Sequence, residues 1–269
     1  MTVEGKTIVI TGASAGIGQE LAVQLAERGA QLVLAGRNKD ALEQTRGQCM
    51  KAGAKAIAIA TDVAQIESCR NLIDQTIKQC GRLDMLVNNA GISMLAPFDA
   101  ISDLALFERI MAVNYLGAVY CTHFALPHLK KRRGLVVAIS SLQGKTGFPN
   151  STAYAASKHA MQGFFDSLRI ELAGSGVDVL VVSPGPVATR IHTHRLGGDG
   201  KLSTDKSHSN EGGMAVAECA RQIAVAIERR RRELVMTAAG KAGQWLKLIA
   251  PGWTDRLVAR AVRRFYHEA

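Results

Sequence analysis

The chain has 269 residues, of which 47% are hydrophobic and 21% are charged, a composition typical of one large globular domain. No apolar run approaches the roughly 20 residues that a membrane-spanning helix needs, and the first residues show no secretory signal. The net charge is +10, and residues 228–269 hold ten Lys or Arg against four Asp or Glu. These features predict a cytoplasmic protein with its excess basic residues on a solvated surface.

The cysteine and histidine residues do not favour a metal site. The five cysteines are scattered and form no C-x-x-C pair, which predicts reduced thiols and no disulfide framework. His192 and His194 have a suggestive spacing, but a zinc site needs three or four ligands and no third partner accompanies them. No metal is therefore predicted.

Short β-branched runs alternate with longer amphipathic segments as far as residue 236. The predicted strands are residues 7–11, 31–35, 56–61, 85–88, 135–140, 177–183 and 233–236. The predicted helices are residues 16–29, 40–52, 64–80, 102–131, 153–173 and 214–229. This alternation predicts an α/β fold, a doubly wound Rossmann-type parallel sheet of about seven strands with helices on both faces.

Residues 1–237 are predicted to form a single domain, because neither a repeat nor a low-complexity linker divides them. Within it, residues 190–213 are polar, glycine-rich and aperiodic, which is typical of a substrate lid or a disordered segment. Residues 238–269 are predicted to form a basic amphipathic helical extension.

A glycine-rich turn, TGASAGIG at residues 11–18, lies between the first strand and the first helix. Glycines permit a tight turn and a close approach of the backbone to a ligand, and a helix N-terminus attracts a pyrophosphate. This position favours a dinucleotide site over a merely tight turn. The residues predicted to form it are Gly12, Ser14, Gly16, Ile17 and Gly18.

The end of the second strand predicts which dinucleotide binds. An Asp or Glu at this point in such folds binds the ribose 2′-hydroxyl of NAD, but here Arg37 follows the strand. A guanidinium clamps a 2′-phosphate bidentately, and the Ser14 hydroxyl adds a contact, which favours NADP(H) over NAD(H). The alternative is that Arg37 caps the next helix or faces solvent.

Tyr154 and Lys158 lie four residues apart on a predicted helix, so their side chains share one face. A free phenol titrates near pH ~10, and a cation within reach lowers its pKa by roughly 1–3 units. Tyr154 is therefore predicted to exchange protons near neutral pH, as an acid–base catalyst must. Ser141, thirteen residues before Tyr154, offers a hydroxyl for the reacting oxygen.

Together these features resemble the short-chain dehydrogenase/reductase family over residues 6–236. The region 139–172 and the arginines before Leu234 most resemble the branch that holds 11-beta-hydroxysteroid dehydrogenase and the dehydrogenase/reductase 7 proteins. The motifs that carry the resemblance are TGASAGIG at 11–18, Asp62-Val63, NNAG at 88–91, Asn114, Ser141, Tyr154 with Lys158, and Pro184-Gly185.

The resemblance implies further cofactor contacts. Asp62 would accept a hydrogen bond from the adenine amino group, with the Val63 backbone beside it, although Asp62 is also suited to cap the following helix. The other implied contacts are Asn89, Ala90 and Gly91 at the ribose, Pro184 and Gly185 beneath the nicotinamide, and Val187 and Thr189 at its carboxamide.

The resemblance also implies a catalytic set. Ser141 and Tyr154 would bind a substrate carbonyl, and Tyr154 would protonate the alkoxide that hydride transfer from NADPH forms. Lys158 would hold the ribose hydroxyls, and Asn114 would hold a water that connects Lys158 to solvent. Ser140 is not expected to take part. The implied reaction interconverts a carbonyl and a secondary alcohol.

The substrate is predicted to be lipophilic, because apolar stretches at residues 92–98 and 147–149 are expected to line its cleft. Helices 102–131 and 153–173 carry more apolar surface than one sheet face needs. In the family such helices pair between subunits, so a homodimer or homotetramer is expected, with packing inside one subunit as the alternative.

The resemblance weakens after Met236, where Trp245 and Trp253 lie among apolar and basic residues. Tryptophans and arginines around an apolar face are typical of a helix that lies on anionic lipid. Peripheral contact with the inner face of a membrane is one interpretation. Cover over the substrate cleft and a subunit interface are the alternatives.

The basic tail also suits a protein of another class, a non-catalytic NADP(H) sensor or a nucleic-acid-binding protein on the same fold. The complete set of Asn114, Ser141, Tyr154 and Lys158 argues against that class, because a sensor has no need of an acid–base pair. A small molecule, rather than nucleic acid, is the expected partner.

Overall fold

All the predicted strands form, each within one residue of its predicted ends. The computed structural model describes residues 2–189, 195–203 and 213–267, with side chains as far as residue 260. In these residues the strands build one parallel sheet in the order β3-β2-β1-β4-β5-β6-β7. The strands are β1 Thr7–Thr11, β2 Gln31–Gly36, β3 Ala56–Ala60, β4 Met85–Asn88, β5 Leu135–Ile139, β6 Asp178–Ser183 and β7 Glu233–Val235.

Helices cover both faces of the sheet. Successive strand residues point to opposite faces, so Ile8 and Ile10 pack into one core layer and Val9 into the other. The first layer includes residues of α1, α2 and α7, and the second includes residues of α3, α5 and α6. The helices are α1 Gly16–Ala26, α2 Lys39–Lys51, α3 Ile66–Cys80, α4 Ala105–Met111, α5 Gly117–Arg132, α6 Thr152–Glu171, α7 Val216–Glu228, α8 Ala238–Ile249 and α9 Pro251–His267.

The strand order positions the ligand crevice. The connection from β1 leads to β2 on one side, whereas β4 pairs with β1 on the other. Ligands of doubly wound sheets bind where the order reverses in this way, outside the carboxyl ends of the strands. The glycine-rich turn after β1 and residues 89–91 after β4 meet at this point.

The long helix predicted at residues 102–131 is interrupted. α4 and α5 are separated by a π-helical turn, Ala112–Leu116, with Asn114 at its centre. A uniform 3.6-residue periodicity does not reveal such a turn, because one extra residue shifts the register without ending the helix. π-Turns of this kind are frequent at functional sites.

The C-terminal extension forms two helices rather than one. α8 ends at Ile249, Ala250 leaves the helical conformation, and Pro251 begins α9. Proline suits a first helical position because its missing N–H would have no partner there. Among the described helices, none combines the length and hydropathy needed to cross a bilayer.

The predicted lid at 190–213 falls mostly outside the described residues, as do His192 and His194. Of this segment, residues 195–203 and Gly213 are described. The Leu196 carbonyl accepts from the Leu95 N–H at 2.9 Å, and the Gly198 carbonyl accepts from the N–H groups of Ser102 and Asp103. This part of the segment therefore lies against the residues that follow β4.

Candidate active site

Asn89 locks the glycine-rich turn to the end of β4. Its Nδ2 donates to the carbonyls of Thr11 at 2.9 Å and Gly12 at 3.1 Å. The Thr11 Oγ1 accepts from the N–H groups of Asn89 and Ala90 at 3.0 and 3.1 Å. Asn89 therefore braces the turn, a role that the predicted ribose contact did not include.

Two glycines of the turn have no room for a side chain. Gly12 has a φ of +66°, and a Cβ there would lie 2.8 Å from the Ala90 Cα. A Cβ on Gly18 would lie 2.4 Å from both the Asn89 Nδ2 and the Gly12 carbonyl oxygen. The close packing of turn and helix thus requires glycine at both positions.

The N-terminus of α1 suits a pyrophosphate. Ala15 is its N-cap and no side chain caps the first turn, whereas Asn38 and Thr237 cap α2 and α8. The first N–H groups of a helix have no partner within the helix and attract anions. A Cβ on Gly16 would lie 3.4 Å from the Thr189 methyl group, so Thr189 borders this end of the turn. The residues present therefore fit a dinucleotide.

Arg37 does not cap the helix that follows it, because Asn38 Oδ1 accepts from the Ala41 N–H at 3.0 Å. The Arg37 side chain is exposed at the carboxyl end of β2. Ser14 lies beside it, with its Oγ 3.5 Å from the point that a Cβ on Gly36 would occupy. Ser14 thus lies against Gly36, the residue before Arg37.

Asp62 closes a turn ahead of α3 rather than capping the helix. Its Oδ1 accepts from the Ala64 N–H at 3.1 Å, and its own N–H donates to Ser68 Oγ at 3.1 Å. The helix begins two residues later than predicted, at Ile66. The Val63 side chain is buried against Gly117, and a Cβ on Gly117 would lie 2.8 Å from it. Val63 therefore offers a ligand mainly its backbone.

Lys158 is buried beside Tyr154 on α6. Its Nζ donates to the Ile139 carbonyl at the end of β5 at 2.8 Å, and lies 5.7 Å from the centroid of the Tyr154 ring. Burial lowers the pKa of Lys158 to about 8, so the ammonium form still predominates at pH 7. The cation therefore lies over the face of the Tyr154 ring.

The predicted lowering of the Tyr154 pKa is wrong for this structure. Burial raises the pKa of Tyr154 to about 12, and a hydrogen bond with Ser141 opposes this shift only in part. The sequence shows the i, i+4 spacing but not the desolvation of the phenol. At neutral pH the phenol thus holds its proton, which is the form that a proton donor requires.

Asn114 connects the π-helical turn to two other parts of the site. Its Nδ2 donates to the Ile92 carbonyl and to Ser157 Oγ, both at 2.9 Å, and its Oδ1 accepts from the Ile92 N–H at 2.8 Å. A Cβ on Gly91 would lie 3.3 Å from Asn114 Oδ1 and 3.7 Å from Lys158 Nζ. Three residues predicted separately thus meet at one point.

Ser157 and the Ile139 carbonyl contribute to the site but were not predicted. Ser157 Oγ accepts from Asn114 and donates to the Tyr154 carbonyl at 2.7 Å. No spacing rule singles out a serine next to Lys158, so only the fold reveals it. Ser140, which was set aside, donates to the Lys158 carbonyl at 3.3 Å and packs under α6.

The C-terminal extension begins against the turn that carries Ser141. The Pro184 carbonyl accepts from the Leu142 N–H at 3.0 Å, and Val187 is buried nearby in the first core layer. A Cβ on Gly185 would lie 2.9 Å from the Thr237 methyl group, and one on Gly240 would lie 2.4 Å from a Leu142 methyl group. α8 therefore starts at the wall of the site.

Part of the predicted substrate cleft is packed core instead. Met94 and Ala96 are buried with Leu106, Ile110 and Ala153. Apolar residues after a strand bury themselves wherever a neighbouring helix covers them, which composition does not reveal. Of that stretch, Ile92 and Leu95 are half-buried and Pro97 and Phe98 are exposed, so these residues remain to line a cleft.

Comparison with known proteins agrees with this geometry. Residues 6–197 match the family model described as short chain dehydrogenase. The chain belongs to the short-chain dehydrogenase/reductase family. It is 45% identical over 184 residues to the 11-beta-hydroxysteroid dehydrogenase-like protein 4A of Arabidopsis thaliana, a match that covers 68% of this chain and 61% of that protein. It is 34% identical over 254 residues to the dehydrogenase/reductase SDR family protein 7-like of Dictyostelium discoideum, covering 92% and 79%.

Solved structures of short-chain dehydrogenases/reductases share the fold. One from Burkholderia phymatum in complex with NAD has a TM-score of 0.85 at 25% identity, and the match covers 94% of this chain and 96% of that one. An alcohol dehydrogenase from Thermococcus sibiricus complexed with 5-hydroxy-NADP has a TM-score of 0.75 at 27% identity, covering 87% and 96%. The predicted family, its branch and the doubly wound sheet are confirmed.

Proposed function

We propose that this short-chain dehydrogenase/reductase is an NADP(H)-dependent oxidoreductase that interconverts a carbonyl and a secondary alcohol on a lipophilic small molecule. The observation that carries the proposal is the buried Lys158 ammonium over the Tyr154 ring, on the helix that Asn114 holds through Ser157. These groups lie at the carboxyl ends of β5 and β6, where the fold binds its ligands. Residues 1–237 form the catalytic domain in this proposal.

Ser141 and Tyr154 bind and protonate the reacting oxygen. In the reducing direction both hydroxyls donate hydrogen bonds to the substrate carbonyl, and the Tyr154 proton passes to that oxygen as negative charge develops on it. The nicotinamide of the bound cofactor supplies the hydride. In oxidation the reverse holds, and the Tyr154 phenolate accepts the alcohol proton to become the phenol.

Lys158 and Asn114 support Tyr154. The Lys158 ammonium stabilises the phenolate that proton loss creates, and it is suited to hold the ribose hydroxyls of the cofactor. Asn114 fixes Ser157 and the Ile92 backbone, so it orients α6 with respect to the end of β4. A water held by Asn114 would carry a proton between Lys158 and solvent.

The NADP(H) preference depends on Arg37. The cofactors bound to the two solved relatives are NAD in one and an NADP derivative in the other, so the family alone does not select one. Arg37 is exposed beside Ser14, with no acid after β2 to repel a 2′-phosphate. An arginine fork matches phosphate geometry bidentately.

The remaining cofactor contacts that we propose follow from the site. The pyrophosphate lies at the N-terminus of α1, beside Gly12, Gly16, Ile17 and Gly18. The adenine contacts Asp62 and the Val63 backbone. The ribose and nicotinamide contacts are Ala90, Gly91, Tyr154, Lys158, Pro184, Gly185, Val187 and Thr189, with Asn89 bracing the turn.

A lipophilic substrate is consistent with apolar groups near Tyr154. Ile92 and Phe107 are partly buried in the same cluster as the Tyr154 ring, and Phe98 stacks edge-on against Phe107 with 6.2 Å between centroids. A steroid, a retinoid or an acyl chain offers the apolar surface that such a wall would contact. The name of the Arabidopsis relative agrees with a steroid-like compound.

The decisive experiment measures NADPH and NADH oxidation by the full-length protein with a panel of ketones and aldehydes. We expect turnover with NADPH and an apolar carbonyl, and its loss in Tyr154→Phe without loss of NADPH binding. Tyr120→Phe, on the buried side of α5, is the matched control and should keep its kcat. A near-normal kcat in Tyr154→Phe would remove Tyr154 from the mechanism. Failure with every carbonyl, together with salt-dependent DNA binding, would favour the non-catalytic alternative.

We also propose that the enzyme acts as a homodimer or homotetramer through α5 and α6. Ile170 on α6 is 76% exposed, while Phe164 is only half-buried between Tyr115 and Phe165. Such apolar surface suits a second copy of the chain. Light scattering of the wild type should give a dimer or tetramer, and Ile170→Glu should lower the mass. A monomeric wild type would contradict the assembly.

A cytoplasmic enzyme with peripheral contact to anionic membrane is the location that we propose. Trp245, Leu248 and Trp253 on α8 and α9 are at least 63% exposed, and Lys241, Arg256 and Arg260 lie exposed among them. Tryptophans near the headgroups and cations toward anionic lipid are typical of interfacial helices. Vesicles that contain phosphatidylserine should pellet the wild type more than Trp245→Ser/Trp253→Ser. Phe98→Ser is the control for nonspecific hydrophobic adsorption. Equal pelleting of the wild type, Trp245→Ser/Trp253→Ser and Phe98→Ser would contradict the membrane contact.

A further inference from the structure

A cavity of about 360 Å³ lies at the amino ends of β6 and β7, at the edge of the sheet opposite to the candidate active site. Its lining includes Arg133, Arg169, Arg230 and Arg232, with Asp178 as an acidic member. This volume falls within the range of small-ligand sites. None of the catalytic or cofactor roles proposed above uses these residues.

Two of the four arginines hold the cavity together. Arg230 forms an ion pair with Asp178, and its Nη2 donates to the carbonyls of Arg133, Gly134 and Gly176 at 3.1, 2.8 and 3.1 Å. One guanidinium therefore fastens the loop after α5 to the loop before β6.

Arg169 holds the loop before β7 against α6 and the start of β6. It donates to Asp166 Oδ1 at 2.5 Å, to the Val179 carbonyl at 3.2 Å and to the Arg232 carbonyl at 3.4 Å. The backbones of Arg133 and Arg232 are thus each fixed by a bonded arginine. A site held in this way positions its ligand-binding side chains before the ligand arrives.

The side chains of Arg133 and Arg232 remain for a ligand. Both residues are exposed, and within the described part of the chain neither guanidinium is paired with a carboxylate. Asp178 and Asp166 pair with Arg230 and Arg169, Asp84 pairs with Arg82 and Arg132, and Glu233 pairs with Lys145. Among the residues that line the cavity, four arginines face one carboxylate, so the lining has a net positive charge.

The chain turns through the left-handed backbone region just after α5 and just after α7. Arg133 and Arg230 have φ values of +50° and +46°, in the left-handed region that non-glycine residues rarely adopt. Gly176 has a φ of +81°, and a Cβ on it would lie only 2.8 Å from Arg133 Nε. Left-handed residues are common where helices end, and these two bring the ends of α5 and α7 to the cavity.

We propose that this cavity binds a small phosphate ester between the guanidinium groups of Arg133 and Arg232. A phosphate monoester carries nearly two negative charges at neutral pH, which suit the positive lining and the guanidinium groups of Arg133 and Arg232. Its oxygens suit two bidentate guanidinium contacts, which a single carboxylate does not offer. The site is separate from the nucleotide crevice and does not depend on the proposed reaction.

Isothermal titration calorimetry with inorganic phosphate tests the proposal on the full chain, at constant ionic strength. The titration is run with and without NADP⁺. NADP⁺ displaces phosphate from the nucleotide crevice, so phosphate binding that persists with NADP⁺ belongs to another site. We expect one phosphate to bind in the presence of NADP⁺, and Arg133→Gln/Arg232→Gln to weaken it at least tenfold. Succinate should bind at least tenfold more weakly than phosphate.

Arg229→Gln/Arg231→Gln is the matched control, because it removes the same charge from neighbouring residues that do not line the cavity. Its phosphate affinity should stay within twofold of the wild type. Circular dichroism and the Tm of both double variants show whether the fold is retained. Equal weakening of phosphate binding in both variants would show a general basic surface rather than a specific site. Absence of saturable phosphate binding to the wild type would also overturn the proposal. Tighter binding of succinate would overturn the ligand class.

Discussion

The amide of Asn114 donates to the Ser157 hydroxyl at 2.9 Å and so joins the π-helical turn to the helix that carries Tyr154 and Lys158. Ser157 in turn donates to the carbonyl of Tyr154 at 2.7 Å. The orientation of α6 over the crevice therefore depends on a contact between residues 43 positions apart.

Asn114→Ala should lower both stability and turnover. The substitution removes the Ser157 contact and leaves the partly buried N–H and C=O of Ile92 without their partner, which costs about 1–3 kcal/mol. Urea unfolding and kcat with NADPH measure the two effects. Ser157→Ala removes only the contact between helices and should cost less in both. If Ser157→Ala lowers stability and kcat as much as Asn114→Ala, the contact with α6 accounts for the whole loss and the Ile92 bonds contribute nothing.

Lys158→Met should be stabilising at neutral pH, by an amount that falls as pH rises. Burial lowers the pKa of Lys158 to about 8 from its ordinary 10.5, so between these values the unfolded chain binds the proton more tightly. The wild type therefore gains stability relative to the variant as pH rises from 8 to 10.5. The difference at pH 7 is at most about 3 kcal/mol, less the lost bond to Ile139. Urea unfolding of both proteins from pH 7 to 10 tests this, and a constant difference would contradict it.

Arg37→Asp should reverse the cofactor preference. The new carboxylate repels a 2′-phosphate and accepts from a ribose 2′-hydroxyl, so the ratio of kcat/KM for NADPH over NADH should fall by about 10- to 100-fold. Lys39→Asp is the matched control, because it makes the same charge change two residues further along. An equal fall in both variants would indicate general electrostatics rather than a specific contact.

Gly18→Ala should weaken cofactor binding and lower stability. A Cβ there would lie 2.4 Å from the Gly12 carbonyl, so the turn must shift, at a cost of about 1–3 kcal/mol. The Tm and the NADPH Kd measure the effect. Gly163→Ala on the exposed face of α6 is the control, because nothing lies within 4 Å of its new Cβ and alanine favours the helix. An unchanged Kd in Gly18→Ala would contradict the role of the turn.

Local patterns predicted the strands, most helices and the residues that meet in the crevice. Gly91, Asn114 and Lys158 were identified from separate motifs, and the fold brings them within contact distance. Patterns failed where a contact between distant residues decided the outcome. The π-turn around Asn114, the start of α3 at Ile66 and the bracing role of Asn89 all depend on hydrogen bonds that periodicity does not encode.

By itself the sequence determined the doubly wound fold and the positions of the glycine turn, Ser141, Tyr154 and Lys158, because short-range spacing and alternation of apolar residues encode them. The tertiary structure alone decided the protonation of Tyr154, since a pKa depends on burial by residues from many segments. It also decided that α8 starts against Leu142 and that four arginines surround one cavity. These features arise where loops distant in sequence meet, and no local pattern records such a meeting.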